Sequence, residues 1–472
     1  MTKKAISIKK NFFYSSILTT ANYIFPLITY PYVSRVLGVS NIGICNFVDS
    51  VVHYFILVSM MGVSILGIRE VARCKDDRSE LNKTFSSIFL LNTLTTTIAL
   101  LLLLVGTFTV PQLYAHKQLM MVGAMKLLFN YLLVEWLYKG LEEFKYITLR
   151  TLLVKTGYVL SVFIFVHSAG DYPIYYLLTV MMIVVNAFVN FIHARKYVSL
   201  SWRGMNLKYL LKPFLTFGVY LIITSMYTSF NVAYLGFVAG ETEVGYYTTA
   251  TKLYALLLSL YTAFTGVMLP RMSALISEQK ENEFERLLDK SLKFLFSFTI
   301  PLIIVTTVCA PQIIRIISGS GYEGAILPMR IVMPLMLIIG YEQILIVQTL
   351  MPMKKDKAVL INSVLGACVG LTMNILLVPL LQSVGSAVVW LISEVVVLVS
   401  AQCFVTRYTG MKFPVQSLLW YLLRYLPLLV AAFCLYIVIE TKMLAFVVIG
   451  IISGVYSLVL NRDIVNFRRF IL

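Results

Sequence analysis

Charge is scarce in this sequence. Of 472 residues only 13% are Asp, Glu, Lys or Arg, while 59% are hydrophobic. A soluble domain carries about 25% charged residues, so a water-facing surface cannot be built over this length and lipid must be the solvent for most of the chain. Histidine is rarer still, with four residues and no HExxH or other metal-ligand spacing. The six cysteines (Cys45, Cys74, Cys309, Cys368, Cys403, Cys434) are scattered without a CxxC and read as small apolar packing residues. No GxxxxGK[ST] is present, which excludes nucleotide hydrolysis by that route. No Ser/His/Asp or paired-carboxylate arrangement lies in a soluble segment. A catalytic site, a metal and a cofactor are therefore not expected, and the chain does not read as an enzyme.

What is present is apolar runs of spanning length, about twenty residues each. They fall near 12–34, 42–67, 85–109, 118–137, 146–167, 172–193, 209–236, 245–270, 292–317, 328–350, 357–379, 383–406, 416–439 and 442–460, which makes about fourteen transmembrane helices in an all-α membrane protein. The first run has no small-residue cleavage site and reads as a span, not a removed signal. The net charge of +17 follows topology: thirty of the 39 Lys and Arg lie before the first span, after the last, or in the even-numbered loops. The odd loops hold three, Arg35, Lys117 and Lys442. This places both termini in the cytoplasm of a multi-pass inner-membrane protein and removes nucleic acid as the reason for the basicity.

The basic stretches at 194–212 and 406–415 divide the spans into six, six and two. The expected organisation is an N-lobe at 1–205 (spans 1–6), a C-lobe at 206–405 (spans 7–12) and a C-terminal pair at 406–472. At an offset of 202 residues Gly43 aligns with Gly245, Arg69 with Arg271 and Ala72 with Ala274. Because each unit has an even number of spans, the repeat is parallel, and such halves commonly enclose a cavity that opens alternately to the two sides.

Polar residues inside spans mark faces that avoid lipid. Asn46, Asp49, Ser50 and His53 share one face of the second span. Thr148, Thr151, Lys155 and Tyr158 do so in the fifth, Thr216, Tyr220, Thr224 and Asn231 in the seventh, and Thr248, Thr249, Lys252 and Ser259 in the eighth; Lys126 and Asn130 mark the fourth. At 1.5 Å per residue, Lys126 and Lys155 lie roughly 12–14 Å inside their nearer ends and Lys252 roughly 10 Å. The repeat offset sets Asp49 level with Thr251, beside Lys252, and suggests an Asp49–Lys252 pair. Lys126, Lys155 and Lys252 are candidate substrate-binding cations of a water-filled cavity that suits an anionic substrate such as a pyrophosphate. Asp49, His53, Glu342 and Glu394 are candidates for ion coupling or charge pairing. Pro26 and Pro31 are expected to kink the first span.

Residues 10–75 carry a resemblance. The strings KNFFY, PLITYPYVSRVLGVSNIG, FVDS and GVSILGIREVAR, with GETEVGYYTTATKL and LPRMSAL further on, resemble bacterial polysaccharide exporters: O-antigen and capsule flippases of the multidrug/oligosaccharidyl-lipid/polysaccharide exporter superfamily. The resemblance implies a two-lobed bundle that moves an undecaprenyl-pyrophosphate-linked oligosaccharide, the repeat unit of O-antigen, capsule or exopolysaccharide, from the cytoplasmic to the outer leaflet. It adds Arg35, within PYVSRVLG, to the candidate cavity cations. The implied partners are the lipid-linked oligosaccharide, the bilayer and the polysaccharide polymerase machinery, with the protein itself a monomer. The competing reading is a cation-coupled drug antiporter of the same superfamily. Such antiporters typically have twelve spans and acidic cavities, and the last pair of spans and the cationic first half here count against it.

Overall fold

The computed structural model describes residues 8–201, 205, 207–228 and 230–461. Among them no strand occurs; the chain is a succession of helices. By packing it divides into two units, Met1–Gly245 and Tyr246–Leu472. Eleven helical stretches among the described residues are long and apolar enough to cross a membrane. Two of these, at 58 and 54 residues, are well over twice the needed length and each is broken internally. Counted as two apiece, and with Leu207–Thr228 and Phe230–Ala239 taken together as one more, they fit fourteen spans. Large apolar side chains are exposed along these helices, as at Leu101, Val105 and Phe108, each more than half exposed. That arrangement suits a lipid solvent.

In the first unit, α1 (Ile8–Met60) carries two spans joined at Gly38, whose φ of 78° ends one helix and begins the next. Only glycine adopts that conformation without a Cβ penalty. The second span breaks again at Met61–Gly62 and continues as α2 (Val63–Cys74). α3 (Arg78–Thr109) starts from Asp77, whose carboxylate accepts the amides of Ser79 (2.8 Å) and Glu80 (3.1 Å) as an N-cap. The short α4 (Pro111–Ala115) leads into α5 (Lys117–Asn130). A left-handed Val134 then turns the chain into α6 (Glu135–Gly140), which packs on α2. A Cβ on Gly67 would lie 2.7 Å from the Trp136 ring, so the glycine lets the indole lie flat on α2. α7 (Phe144–Phe165) and α8 (Tyr172–Ala194) follow. Asp171 closes the turn between them by accepting the amides of His167 (2.9 Å) and Ser168 (2.7 Å). These bonds hold its carboxyl below the usual carboxylate range. α9 (Leu207–Thr228), α10 (Phe230–Ala239) and the start of α11 (Glu241–Ser277) also pack in this unit. Here Gly43 meets the backbone carbonyl of Glu241, and Gly245 meets that of Val39. The two glycines aligned by the repeat are thus the points where α1 and α11 touch, backbone to backbone.

The second unit holds the rest of α11, then α12 (Glu281–Val308), α13 (Ala310–Ser318), α14 (Ile326–Val332), α15 (Leu335–Leu345), α16 (Asp356–Thr409), α17 (Val415–Val438) and α18 (Lys442–Leu460). α16 is two spans broken at Gln382 (φ 52°), three residues after Pro379. α17 and α18 pack on each other and on α12. Asn461 fastens this junction: it donates to the Tyr425 hydroxyl (2.8 Å) and accepts from the Ser297 hydroxyl (2.8 Å).

Candidate functional site

Each unit brings together two of the charged residues that the sequence marks inside apolar spans. In the first unit α1 packs against α5, and α5 against α8. Lys126 on α5 reaches Asp49 on the second half of α1, with Nζ 2.5 Å from Oδ1. The ammonium is 17% exposed and the carboxylate 42%. Gly123, one turn before Lys126, makes the approach possible: a Cβ there would lie 2.5 Å from a methyl of Val52 and 2.9 Å from the Tyr176 hydroxyl. Tyr176 on α8 is buried, its hydroxyl close to Asp49. His53, one turn beyond Asp49, is exposed and within electrostatic reach of both members of the pair. An ammonium has three donors, and one is used by Asp49. The arrangement therefore offers further N–H groups to an anion that comes to this side of α5.

Sequence spacing suggested Lys252 as the partner of Asp49; the partner it has within its own unit is Lys126. Lys155 sits elsewhere in the unit, on α7 against the first half of α1, with Nζ 2.5 Å from the Asn22 side-chain oxygen and 5.9 Å from the centroid of Phe25. The hydroxyls expected beside it are used in packing. Thr148 donates to the Tyr14 carbonyl (2.9 Å), and Thr151 accepts from Arg150 (2.9 Å). Arg35 is exposed, one turn before the break at Gly38. Ser50 is turned back to the Phe47 carbonyl (2.7 Å). Among the other expected polar faces, Asn231, Thr248 and Thr249 are buried, and the side chains of Tyr220 and Thr224 lie outside the described residues. Lys252 is exposed on the part of α11 that belongs to the second unit.

The centre of the second unit is acidic. Glu394 on α16 is 3% exposed and accepts from the Trp390 indole N–H at 3.0 Å. Glu342 on α15 lies within electrostatic reach of it. One oxygen of Glu342 is buried without a protein partner among the described residues, and so is the hydroxyl of Tyr254 on α11. The Tyr254 ring stands edge-on to Trp390, with centroids 5.0 Å apart. Sequence reading marked Glu342 and Glu394 separately; it gave no sign that they meet, nor of Tyr254. Two neighbouring carboxyl groups among apolar helices do not both stay ionised without a proton or a bound cation. Among the described residues no cluster of three or more His, Cys, Asp or Glu forms a metal site.

These features define a polytopic helical membrane protein with a charged centre in each half and the fold of the multidrug/oligosaccharidyl-lipid/polysaccharide superfamily. The lipid II flippase MurJ in its inward closed conformation matches with a TM-score of 0.74 at 16% identity, over 97% of this chain and 99% of that one. An inward-facing transporter of the multidrug resistance MATE family matches with a TM-score of 0.65 at 13% identity, over 87% and 98%. The profile of the polysaccharide biosynthesis protein family matches residues 8–276, and the chain belongs to that family. A protein of Escherichia coli (strain K12) described as "Putative O-antigen transporter" is 24% identical over 403 residues, which cover 84% of this chain and 96% of that protein.

Proposed function

We propose that the protein is a flippase for a lipid-linked oligosaccharide, an undecaprenyl-pyrophosphate-linked repeat unit of O-antigen, capsule or exopolysaccharide. The reading is a transporter, not an enzyme, in the bacterial inner membrane with both termini cytoplasmic. Its two repeats, 1–205 and 206–405, alternate access to a path lined by Arg35, Lys126, Lys155 and Lys252. The observation that carries it is the Asp49–Lys126 pair, a half-open ion pair in the middle of apolar spans of a chain that belongs to the polysaccharide biosynthesis family.

The pair suggests how an anion is handled. With the path empty, Asp49 satisfies the Lys126 ammonium and keeps the unit electrically neutral there. A pyrophosphate oxygen then takes the place of the carboxylate, so the cation exchanges one counter-ion for another and is never bare in lipid. Asp49, released, remains close to His53 and the Tyr176 hydroxyl. In the second unit the Glu342–Glu394 pair holds a proton or exchanges it for a cation, and so couples transport to an ion gradient. The test is export of surface polysaccharide by cells that depend on this protein. At equal membrane levels Lys126→Ala should export roughly tenfold to hundredfold less, the effect of losing one charge-assisted hydrogen bond of about 1.5–3 kcal/mol; Lys126→Arg should retain more. Wild-type export by Lys126→Ala, Lys155→Ala and Lys252→Ala alike would overturn the reading.

A further inference from the structure

We propose that a crevice between α12, α17 and the end of α18 binds the phosphate of an anionic glycerophospholipid, drawn from the leaflet on the face that bears the basic loops. The crevice has a volume of about 580 Å³ and lies wholly within the second unit. Its polar wall presents Lys293 of α12 with Gln416, Ser417 and Arg424 of α17. The Arg424 guanidinium carbon lies 4.5 Å from the centroid of Trp420, one turn nearer the start of α17. The arginine therefore leans along its helix toward the water boundary, as a snorkelling side chain does.

Three observations point to this ligand. The first is charge. Lys293 is matched by Asp289 at 2.7 Å, whereas Arg424 has no ion-pair partner among the described residues. The crevice therefore holds one uncompensated cation, which matches a phosphodiester with one negative charge better than a pyrophosphate with more. The second is position. α17 begins at Val415 and α18 ends at Leu460, so the crevice sits at one membrane boundary, the level that phosphates occupy. Leu419, Leu423 and Leu426, on the same helix as Arg424, are 53%, 68% and 48% exposed, an apolar strip along which acyl chains can lie. The third is rigidity. Asn461 ties α18 to α12 and α17, and the Tyr456 hydroxyl donates to the Arg424 carbonyl at 2.8 Å. The walls are thereby fixed before a ligand arrives.

The proposal depends on the membrane reading but not on the transported substrate. It is tested by thermal unfolding of the purified full-length protein in nanodiscs of phosphatidylcholine alone and with phosphatidylglycerol added. Phosphatidylglycerol should raise the midpoint of the wild type, and Arg424→Gln should need about tenfold more of it for the same shift. Arg424→Lys should fall between. Should Arg424→Gln not fold, Ser417→Asp, which adds a like charge to the crevice, must abolish the shift. An equal shift in wild type, Arg424→Gln and Ser417→Asp overturns the site. An equal shift from inorganic phosphate added to phosphatidylcholine discs overturns the lipid as its ligand.

Discussion

The two charged centres are built on opposite logics. In the first unit a cation meets an anion, Lys126 with Asp49, and both stay partly open at 17% and 42% exposure. In the second an acid meets an acid, Glu342 with Glu394, and Glu394 is 3% exposed. An opposite-charge pair is neutral without help and can trade one partner for an incoming ion. A pair of carboxyls is neutral only with protons or a bound cation, because like charges a few ångströms apart in an apolar setting do not both persist. On the proposed function, the first centre handles the anion and the second couples an ion.

The comparison breaks most severely if the two centres respond alike to neutralisation. Glu342→Gln and Glu394→Gln keep shape and remove charge, so the fold should persist while export loses its dependence on the ion gradient. Because the two carboxyls act as one unit, the double variant should be no worse than either single one. Additive losses measured in the export assay would show two independent sites. In the first centre the opposite pattern is expected: Lys126→Ala lowers protein level by leaving Asp49 uncompensated, and Asp49→Ala added to it restores the level but not export.

A smaller effect is expected where the α1 and α11 backbones touch. A Cβ at Gly43 meets the Glu241 carbonyl, so Gly43→Ala must separate the helices, at about 1–3 kcal/mol as in other overpacked contacts. Gly38→Ala, with open space around it but φ at 78°, should cost about 1 kcal/mol through the backbone alone. Thermal unfolding of the two variants distinguishes close approach from conformation; equal midpoints would remove the close approach.

The smallest effect lies in the turn between α7 and α8. The folded Asp171 carboxyl titrates below its ordinary value because the His167 and Ser168 amides donate to it. A depressed pKa stabilises the fold above the unfolded value of about 3.9 and ceases to do so as pH falls through the folded value. Asp171→Asn should therefore be slightly less stable than wild type at neutral pH, with the gap closing on acidification. A gap that widens toward acid would contradict this assignment.

Much of the architecture was legible because lipid imposes it. The helices among the described residues are consistent with the fourteen runs, and the break at Gly38 falls in the expected gap between 34 and 42. The interruptions at Met61–Gly62 and at Val134 were not legible, since Met61 and Val134 are themselves apolar and leave hydropathy unchanged across the break. The candidate residues were found by their cost in lipid, one at a time; their pairing was not. Asp49 and Lys126 meet because α1 packs on α5 through Gly123, a tertiary fact that neither helical spacing nor the repeat offset contains. Likewise Tyr254 reads as one more apolar-face aromatic until α15 and α16 bring two carboxyls beside it.

The central claim is that the Lys126 ammonium carries the anionic head group of a lipid-linked oligosaccharide across the membrane. It is tested most directly by purified protein in proteoliposomes loaded with an undecaprenyl-pyrophosphate-linked oligosaccharide, scored by the appearance of sugar at the opposite leaflet. Wild type should move the lipid, and Lys126→Ala at equal reconstituted amounts should move it roughly tenfold to hundredfold more slowly, as expected for the loss of one charge-assisted hydrogen bond, with Lys126→Arg between them. Equal rates for wild type and Lys126→Ala would contradict the account.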